Sequence, residues 1–396
     1  MENGKSSSLS IEANSTGYFS TFDFKTNRKA LMITIGDVVK HLEALAPPAF
    51  QEDYDNSGLI TGDSSLAVTS ALITLDCTEE VVHEAITLGA NLIIAHHPIV
   101  FRGLKKLTGK NYVERTVIKA IKHDIAIYAI HTNLDNVYGG VNRKIAEQIG
   151  LTDLRILKPK KETLGKLVTF IPKENAESVL AAMHEAGAGN IGNYKNCSFT
   201  VEGTGTFMPT GSAQPHIGEI NIQQKVNEVR AEVIFPVHLE SKIVTALKTA
   251  HPYEEVAYYI HHIENENQEV GSGMIGELEE VEEPIDFLKR LKISMNTNCV
   301  RHTSIVKPTI KRVAVCGGSG SFLLQDAIRA NADVFVSADF KYHEFFDSDG
   351  KIIIADIGHY ESEQFTKELI SEVLREKFRT FAINFSKTVT NPIRYL

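Results

Sequence analysis

The chain is poor in the residues that announce several common protein classes. Its four cysteines, Cys77, Cys197, Cys299 and Cys316, are widely scattered. No C-x-x-C pair suggests a zinc knuckle or a dithiol redox site, and four in so long a chain do not make a disulfide framework. A reducing, cytoplasmic setting is the expectation that follows. No apolar run approaches the roughly 20 residues of a membrane span, since Leu92–Ala95 and Ile352–Ala355 are strand-sized. Positive charge is also in deficit, with 41 Lys and Arg against 50 Asp and Glu for a net charge of −9. No basic patch stands out along the sequence, so neither nucleic acid nor anionic lipid is an expected partner. Nucleophilic hydrolase signatures are missing too, with no G-x-S-x-G elbow and no cysteine in a catalytic motif.

What is present is an ordinary soluble balance, 43% apolar and 23% charged, which excludes wholesale disorder. At roughly 150 residues per domain, 396 residues predict two or three domains. Residues 1–31 are rich in Ser, Thr and Asn and have no apolar stretch, so they are not a secretory signal. Glu2, Glu12 and Asp23 argue against a transit peptide, and this stretch reads as a disordered extension or the product of an upstream start codon. Folding is expected to begin near Met32.

Thr34, with Asp37 three positions on, has the form of a capping box. Val38, Val39, Leu42 and Leu45 then recur at helical spacing until Pro47-Pro48. Strands near 71–75, 92–95 and 125–130 alternate with helices near 79–88 and 112–122, which predicts a parallel sheet covered by helices. The pattern returns late in the chain. Val82–His97 aligns with Leu324–Asp339, placing Ala85 on Ala327, Ile86 on Ile328, Ala90 on Ala332 and His97 on Asp339. The strand 125–130 ends in His131-x-x-x-Asp135, and the strand 351–357 ends beside His359-x-x-x-Glu363. These parallels predict an internal duplication. Between the halves, strands at 166–171, 196–207, 228–235 and 256–263 and helices at 174–186 and 238–249 give a β-α-β-β-α-β order. The expected fold is α/β: a duplicated β-α-β parallel-sheet domain (32–160 and 270–396) interrupted by a ferredoxin-like α+β insert (164–265). The acidic run Glu277–Glu283 reads as a solvated surface return to the first domain.

Three strand ends carry chemistry: His96 and His97, His131 and Asp135, and His359 and Glu363. Open parallel sheets bind ligands beyond the carboxyl ends of their strands, where these groups would converge. Side chains of adjacent strand residues point to opposite faces, so His96 and His97 could act together only if the strand has ended, as Pro98 suggests. One ion needs three or four protein ligands. Five or six are on offer and a carboxylate can bridge, so two ions about 3.5–4 Å apart are plausible. Nitrogen and oxygen donors without thiolate suit zinc, iron, manganese, cobalt or nickel, without distinguishing them. Gly317-Gly-Ser-Gly320 reads either as a phosphate cradle or as a tight strand-to-helix turn. Asp339, followed by Lys341 and His343, is open between supporting a ligand, transferring a proton and capping a helix. His251-Pro-Tyr-Glu-Glu255 reads as a polar turn opening the last strand of the insert.

Taken together, Tyr54-Asp-Asn-Ser-Gly-Leu59, Ile94-Ala-His-His-Pro98, His131-Thr-Asn-Leu-Asp135, Gly317-Gly-Ser-Gly320, Ala338-Asp-Phe-Lys-Tyr-His343 and Asp356-Ile-Gly-His-Tyr-Glu-Ser-Glu363 resemble the Nif-three-like metal-binding family. That family is catalogued as type 2 GTP cyclohydrolase I homologues. The likeness covers about 33–160 and 270–396. The middle segment, with Gly203-Thr-Gly-Thr-Phe207 and His251-Pro-Tyr-Glu-Glu255, resembles the PII-like or CutA-like insert of the longer bacterial members. The resemblance implies a dinuclear centre of two divalent cations held by His96, His97, Asp135, His359 and Glu363, with Glu363 bridging. His131, Asp339 and His343 would support those ligands or move protons. It further implies a toroidal homohexamer whose metal sites face an internal cavity. Tyr54 stands where the family often has Trp, an exchange expected to bear on packing rather than chemistry. The implied activity is metal-dependent hydrolysis of a nucleotide or related heterocycle, of GTP cyclohydrolase type. Two other roles compete with it: a non-enzymatic metal-holding assembly with the insert as sensor, and a transcription-associated scaffold.

Overall fold

Helix formation begins at the predicted cap. In the computed structural model, which describes residues 32–396, the Asp37 N–H donates to the Thr34 hydroxyl oxygen at 3.1 Å and the Asp37 carboxylate accepts the Thr34 N–H at 2.9 Å. The predicted extension 1–31 lies outside the described residues. The helix Ile35–Leu45 buries Ile35, Val38 and Leu42. Strands β1 (Gly58–Thr61), β2 (Ser70–Asp76), β3 (Leu92–His97) and β4 (Ala126–Ala129) follow, with helices Glu79–Leu88 and Tyr112–Lys122 on either side of β3. After the helix Val141–Ile149, β5 (Leu151–Pro159) leads into β6 (Leu164–Pro172), β7 (Phe199–Phe207), β8 (Gln224–Pro236) and β9 (Tyr258–Ile263). The chain then forms β10 (Gly271–Glu282), β11 (Arg301–His302), β12 (Ile310–Ser319), β13 (Val334–Ala338), β14 (Ile353–Asp356) and β15 (Ala382–Phe385).

These strands make three sheets, ordered β1-β4-β3-β2-β15, β11-β14-β13-β12-β10-β5 and β7-β8-β6-β9. In the first, β2, β3 and β4 run parallel and β1 closes the edge antiparallel to β4. In the second, β12, β13 and β14 run parallel and β11 closes the edge antiparallel to β14. The central parallel strands are apolar and buried on both faces, as sheets covered by helices require. One core joins the two sheets: Ile73, Ile94 and Tyr128 from the first, Val313, Val336 and Ala355 from the second, with Ile145 and Leu374 from helices Val141–Ile149 and Thr366–Lys377. The third sheet is antiparallel throughout. It holds a core of its own, with Leu167, Val233 and Phe235 against Val179 and Leu247 of helices Ala176–Glu185 and Glu240–Ala250.

Three local expectations change. Strand β3 continues through His97 rather than ending at Ala95, because Asp76 at the end of β2 stays in register with His97. The acidic run 277–283 lies mostly in β10, with Leu278 buried and Glu277 and Glu282 paired to Arg312 and Arg290. Glu279 and Glu280 are exposed as expected. Gly317, Gly318 and Ser319 belong to β12 rather than to a turn. No helix of the described residues is long and apolar enough to cross a membrane. Loss of the first cap should be measurable: Thr34→Ala is expected to cost about 1 kcal/mol, read as a lower urea midpoint at an unchanged denaturant slope.

Candidate metal centre

The polar residues at the ends of the parallel strands meet where the two sheets come together. His96 and His97 are the last residues of β3. Just past β4, His131 precedes a single helical turn, Thr132–Asp135, that carries Asp135. Past β14, Gly358 takes φ +92°, a conformation that glycine tolerates, and turns the chain into the short helix His359–Glu363. His359 and Glu363 therefore share one helical face.

The rings share one mode of attachment. His96 is fully buried and donates its Nδ1–H to the Ile130 carbonyl at 2.8 Å. The Nδ1 atoms of His97, His131 and His359 are held by carboxylates instead: Asp76 at 2.8 Å, Asp55 at 2.7 Å and Asp339 at 2.7 Å. Each ring thus has its orientation set from behind and its Nε2 left for the centre, as in histidine metal ligands. His97 Nε2 lies 2.9 Å from Glu363 Oε2, and His359 Nε2 lies 3.2 Å from the same oxygen. His96 Nε2 lies 3.8 Å from the other oxygen, Oε1, and 3.6 Å from Asp135 Oδ1. Neither His96 Nε2 nor Asp135 Oδ1 has a hydrogen-bond partner, though both atoms are buried.

Three groups of donor atoms lie within 4.8 Å of one another: His96, Asp135 and Glu363; His97, His359 and Glu363; and His96, His97 and His131. The first two share Glu363, whose oxygens are divided between them. A buried polar atom without a partner is costly, and a divalent cation would satisfy the unpaired pair. The donor set and its two orphaned atoms therefore fit metal ions. His96 and His97 act together despite lying within one strand, because the carboxylate sits past the strand end and each ring reaches a different oxygen.

Charge is distributed accordingly. Burial opposes a proton on His97, but hydrogen bonds to Asp76 and Glu363 overcome it and raise the ring to about 10. Burial is likewise overcome at His359, where the Glu363 charge and the Asp339 hydrogen bond raise the ring to about 11. Burial acts against the Glu363 charge, yet His359 beside it holds that carboxyl well below its usual range. Asp135 goes the other way: burial, reinforced by the Glu363 charge, pushes it up to about 7. Asp55, although buried, is held far below the usual range by His131 and by the hydroxyls of Thr132 and Ser57.

The glycine motif serves this centre rather than a phosphate. The Gly317 N–H donates to Asn142 Oδ1 at 3.0 Å and the Gly318 N–H to Ser362 Oγ at 2.9 Å, so both amides are committed. Gly318 has φ +57°, and a Cβ there would stand 2.5 Å from Glu363 Oε1. The missing side chain makes room for the Glu363 carboxylate and the His359 ring. Asp339 joins the centre through His359, whereas His343 is exposed, its ring lying against Tyr342 at 5.1 Å. Asp55 and Asp76 were not singled out from the sequence. Asp76 was accessible to the same strand-end rule, since it is the C-terminal residue of β2 beside His97. The tail contributes without any sequence signal: Thr390 Oγ1 donates to Asp76 Oδ2 at 2.6 Å, and Asn391 Nδ2 to Glu361 Oε1 at 3.0 Å.

The centre opens into a cleft of about 1300 Å³ lined by His97, His131, Asp135, His359 and Glu363. Lys158, Lys160 and Lys161, from one stretch of the chain, and Arg329 also line its rim, together with Glu52, Glu266 and Asp326; Lys158 and Arg329 pair with Asp326 and Lys160 with Glu52. Tyr54 is 65% exposed and lines the same cleft, its ring 6.1 Å from Phe101. It is a cleft residue and not a packing position.

A family described as Duf34/NIF3 (NGG1p interacting factor 3) matches residues 33–392. The chain is 38% identical over 365 residues to a GTP cyclohydrolase 1 type 2 homolog of Bacillus subtilis (strain 168), covering 91% of this chain and 98% of the relative. A Staphylococcus aureus (strain MSSA476) protein of the same name is 36% identical over 367 residues, 91% of this chain and 100% of the relative. Among solved structures, a Bacillus cereus protein related to NIF3 superposes with TM-score 0.81 at 38% identity, covering 92% of this chain and 100% of that one.

Two outcomes follow from the attachment of the rings. Asp76→Ala should weaken divalent-cation binding about 10- to 100-fold, measured by isothermal titration with Mn²⁺ or Zn²⁺. His97 and His359 have raised folded-state pKa values, so the protonated centre favours the folded state at low pH and loses that advantage as pH rises through about 10 and 11. A cation taking their Nε2 lone pairs must expel those protons. Binding should therefore release protons at neutral pH and tighten as pH rises, read from titrations in buffers of different ionisation enthalpy.

Proposed function

From the premise that the chain belongs to the Duf34/NIF3 family, we propose that it is a dinuclear metal protein that hydrolyses a nucleotide or a related heterocycle. The observation that carries this reading is the division of Glu363, with Oε1 toward His96 and Oε2 toward His97 and His359. His96 and Asp135 would hold one ion, His97 and His359 the other, and Glu363 both. Two divalent cations supply, when bound, a Lewis acid and a nucleophile at neutral pH.

The chain's own residues do the rest. Asp55, held as a carboxylate, keeps the proton of His131 on Nδ1 and leaves Nε2 facing the cleft as an acceptor, able to take a proton from the attacking water and then pass it to a departing nitrogen. Asp339 and Asp76 fix the rings of His359 and His97. Lys161, the rim cation that pairs with no carboxylate among the described residues, would be the first to meet an anionic substrate. The relatives' name makes GTP the first substrate to try, with opening of the guanine imidazole ring at C8 and loss of formate. His343 has no part in this scheme.

The same reading takes the matching orders of the two parallel sheets as a duplication spanning 32–160 and 270–396, and residues 164–265 as a PII-like insert. It places the protein in the cytoplasm as a homohexamer with the clefts facing an internal cavity. A non-enzymatic metal-holding assembly is the second reading, favoured by the separate core and separate cavity of the third sheet. Elemental analysis should find two ions per chain in the native protein and fewer in Glu363→Ala. Metal-loaded protein incubated with GTP should release formate and dihydroneopterin triphosphate. Turnover no higher than that of Glu363→Ala removes the cyclohydrolase assignment, and two bound ions with no turnover favour the metal-holding reading.

A further inference from the structure

The third sheet carries a cavity that the metal centre does not use. It measures about 690 Å³ and lies on the sheet face opposite the helices. Along β8, Ala231, Val233 and Phe235 point into the helix-side core, and the alternating residues Glu228 and Arg230 line the cavity. Two motifs separated in sequence converge on it: Gly203–Phe207 from β7, and Tyr253, Glu254 and Glu255 from the turn before β9. Both hold one side chain, Glu228. A Cβ on Gly205 would stand 1.9 Å from Glu228 Oε2, so the glycine is what lets the carboxylate lie there. Tyr253 donates its hydroxyl to Glu228 Oε1 at 3.2 Å. Burial and the Glu228 charge push that phenol up to about 12, which keeps it a donor.

Glu228 is only 9% exposed, and among the described residues its Oε2 has no hydrogen-bond partner. The other charges around it are engaged: Arg230 with Glu232 at 2.7 Å, Glu202 with Lys173 at 2.7 Å, and Glu254 with the Gln214 N–H at 2.8 Å. Glu255 adds further negative charge to the lining. Glu228 thus has one long hydrogen bond on Oε1 and turns Oε2 to the cavity, where a cation can meet it. The walls suit an organic one, because Phe170 packs on Tyr259 at 5.8 Å and Phe207 on Tyr253 at 5.7 Å, and aromatic faces attract positive charge. A metal ion is poorly served: among the described residues no cluster of metal-capable donors includes Glu228 or His216, the carboxylate and the histidine of this cavity. His251 uses both ring nitrogens, Nε2–H to the Phe170 carbonyl at 3.0 Å and Nδ1 from the Tyr253 N–H at 3.1 Å.

We infer that this cavity is a second ligand site, one that takes a small organic cation whose ammonium or amidinium head sits at Glu228 among the rings. The site is independent of the hydrolase reading. The test is isothermal titration of the full-length protein with benzylammonium chloride and with its uncharged counterpart, benzyl alcohol. One benzylammonium should bind per chain, about tenfold or more tighter than the alcohol. Glu228→Gln should abolish that preference while leaving the metal content unchanged, and Tyr253→Phe should weaken binding less. Equal affinity for the two probes in the wild-type protein, which needs no variant to fold, would overturn the assignment. So would the absence of benzylammonium binding up to about 10 mM, or unchanged affinity in a folded Glu228→Gln protein.

Discussion

Two carboxylates, the buried Glu363 and the half-buried Asp135, are brought together, and the negative charge of that pair has to be met. Glu363 is 3% exposed, and its oxygens face two different sets of nitrogens. Uncompensated charge at such a place costs several kcal/mol per ion. The protein meets it in part with protons on His97 and His359, and in part by the raised affinity of Asp135 for a proton. Cations can take over the same work, and the unpaired atoms of His96 and Asp135 mark where protons have not done so. The carboxylates behind His97, His131 and His359 follow from this constraint, since a ring must be aimed before its free nitrogen can serve.

The backbone is shaped around that pair. Gly318 and Gly358 take positive φ where the chain passes closest to Glu363 and Glu361, and a Cβ at either would strike a carboxylate oxygen. The tail closes the arrangement from a distance in sequence. β15 pairs with β2, and the residues beyond it reach Asp76 and Glu361. The orientation of His97 thus depends on segments from the beginning, the end and the last third of the chain.

The third sheet has its own core but is not remote from the cleft. The chain enters it through Lys158–Lys161 and leaves it past Glu266, and all five of these residues line the metal cleft. The two cavities differ in chemistry in a way that follows from their lining. One joins buried imidazoles and carboxylates to a lysine rim; the other sets a single buried carboxylate among aromatic rings.

Much was legible before any coordinates. Apolar alternation and caps marked the parallel strands and most of their helices, because those signals are local. Thr34 with Asp37 is the clearest case. The strand-end histidines and carboxylates were legible because a parallel sheet puts the ends of its strands on one side. Short edge strands such as β1 and β11 were not, since two to four residues carry no usable period. The roles of Asp55, which stands in the motif Tyr54–Leu59, and of Asp76, at a strand end, were not legible, because a carboxylate that orients a ring has no spacing of its own. Lys158-Pro-Lys-Lys161 was legible as a cluster, but its joining to Arg329 of the helix Leu324–Arg329 and to Glu52 and Asp326 at one cleft was not. Sequence alone determined which residue types stand at the ends of which strands. Only the tertiary structure decided that Glu363 would turn one oxygen toward His96 and the other toward His97 and His359, because that depends on how two sheets pack across a shared core, which no local pattern encodes.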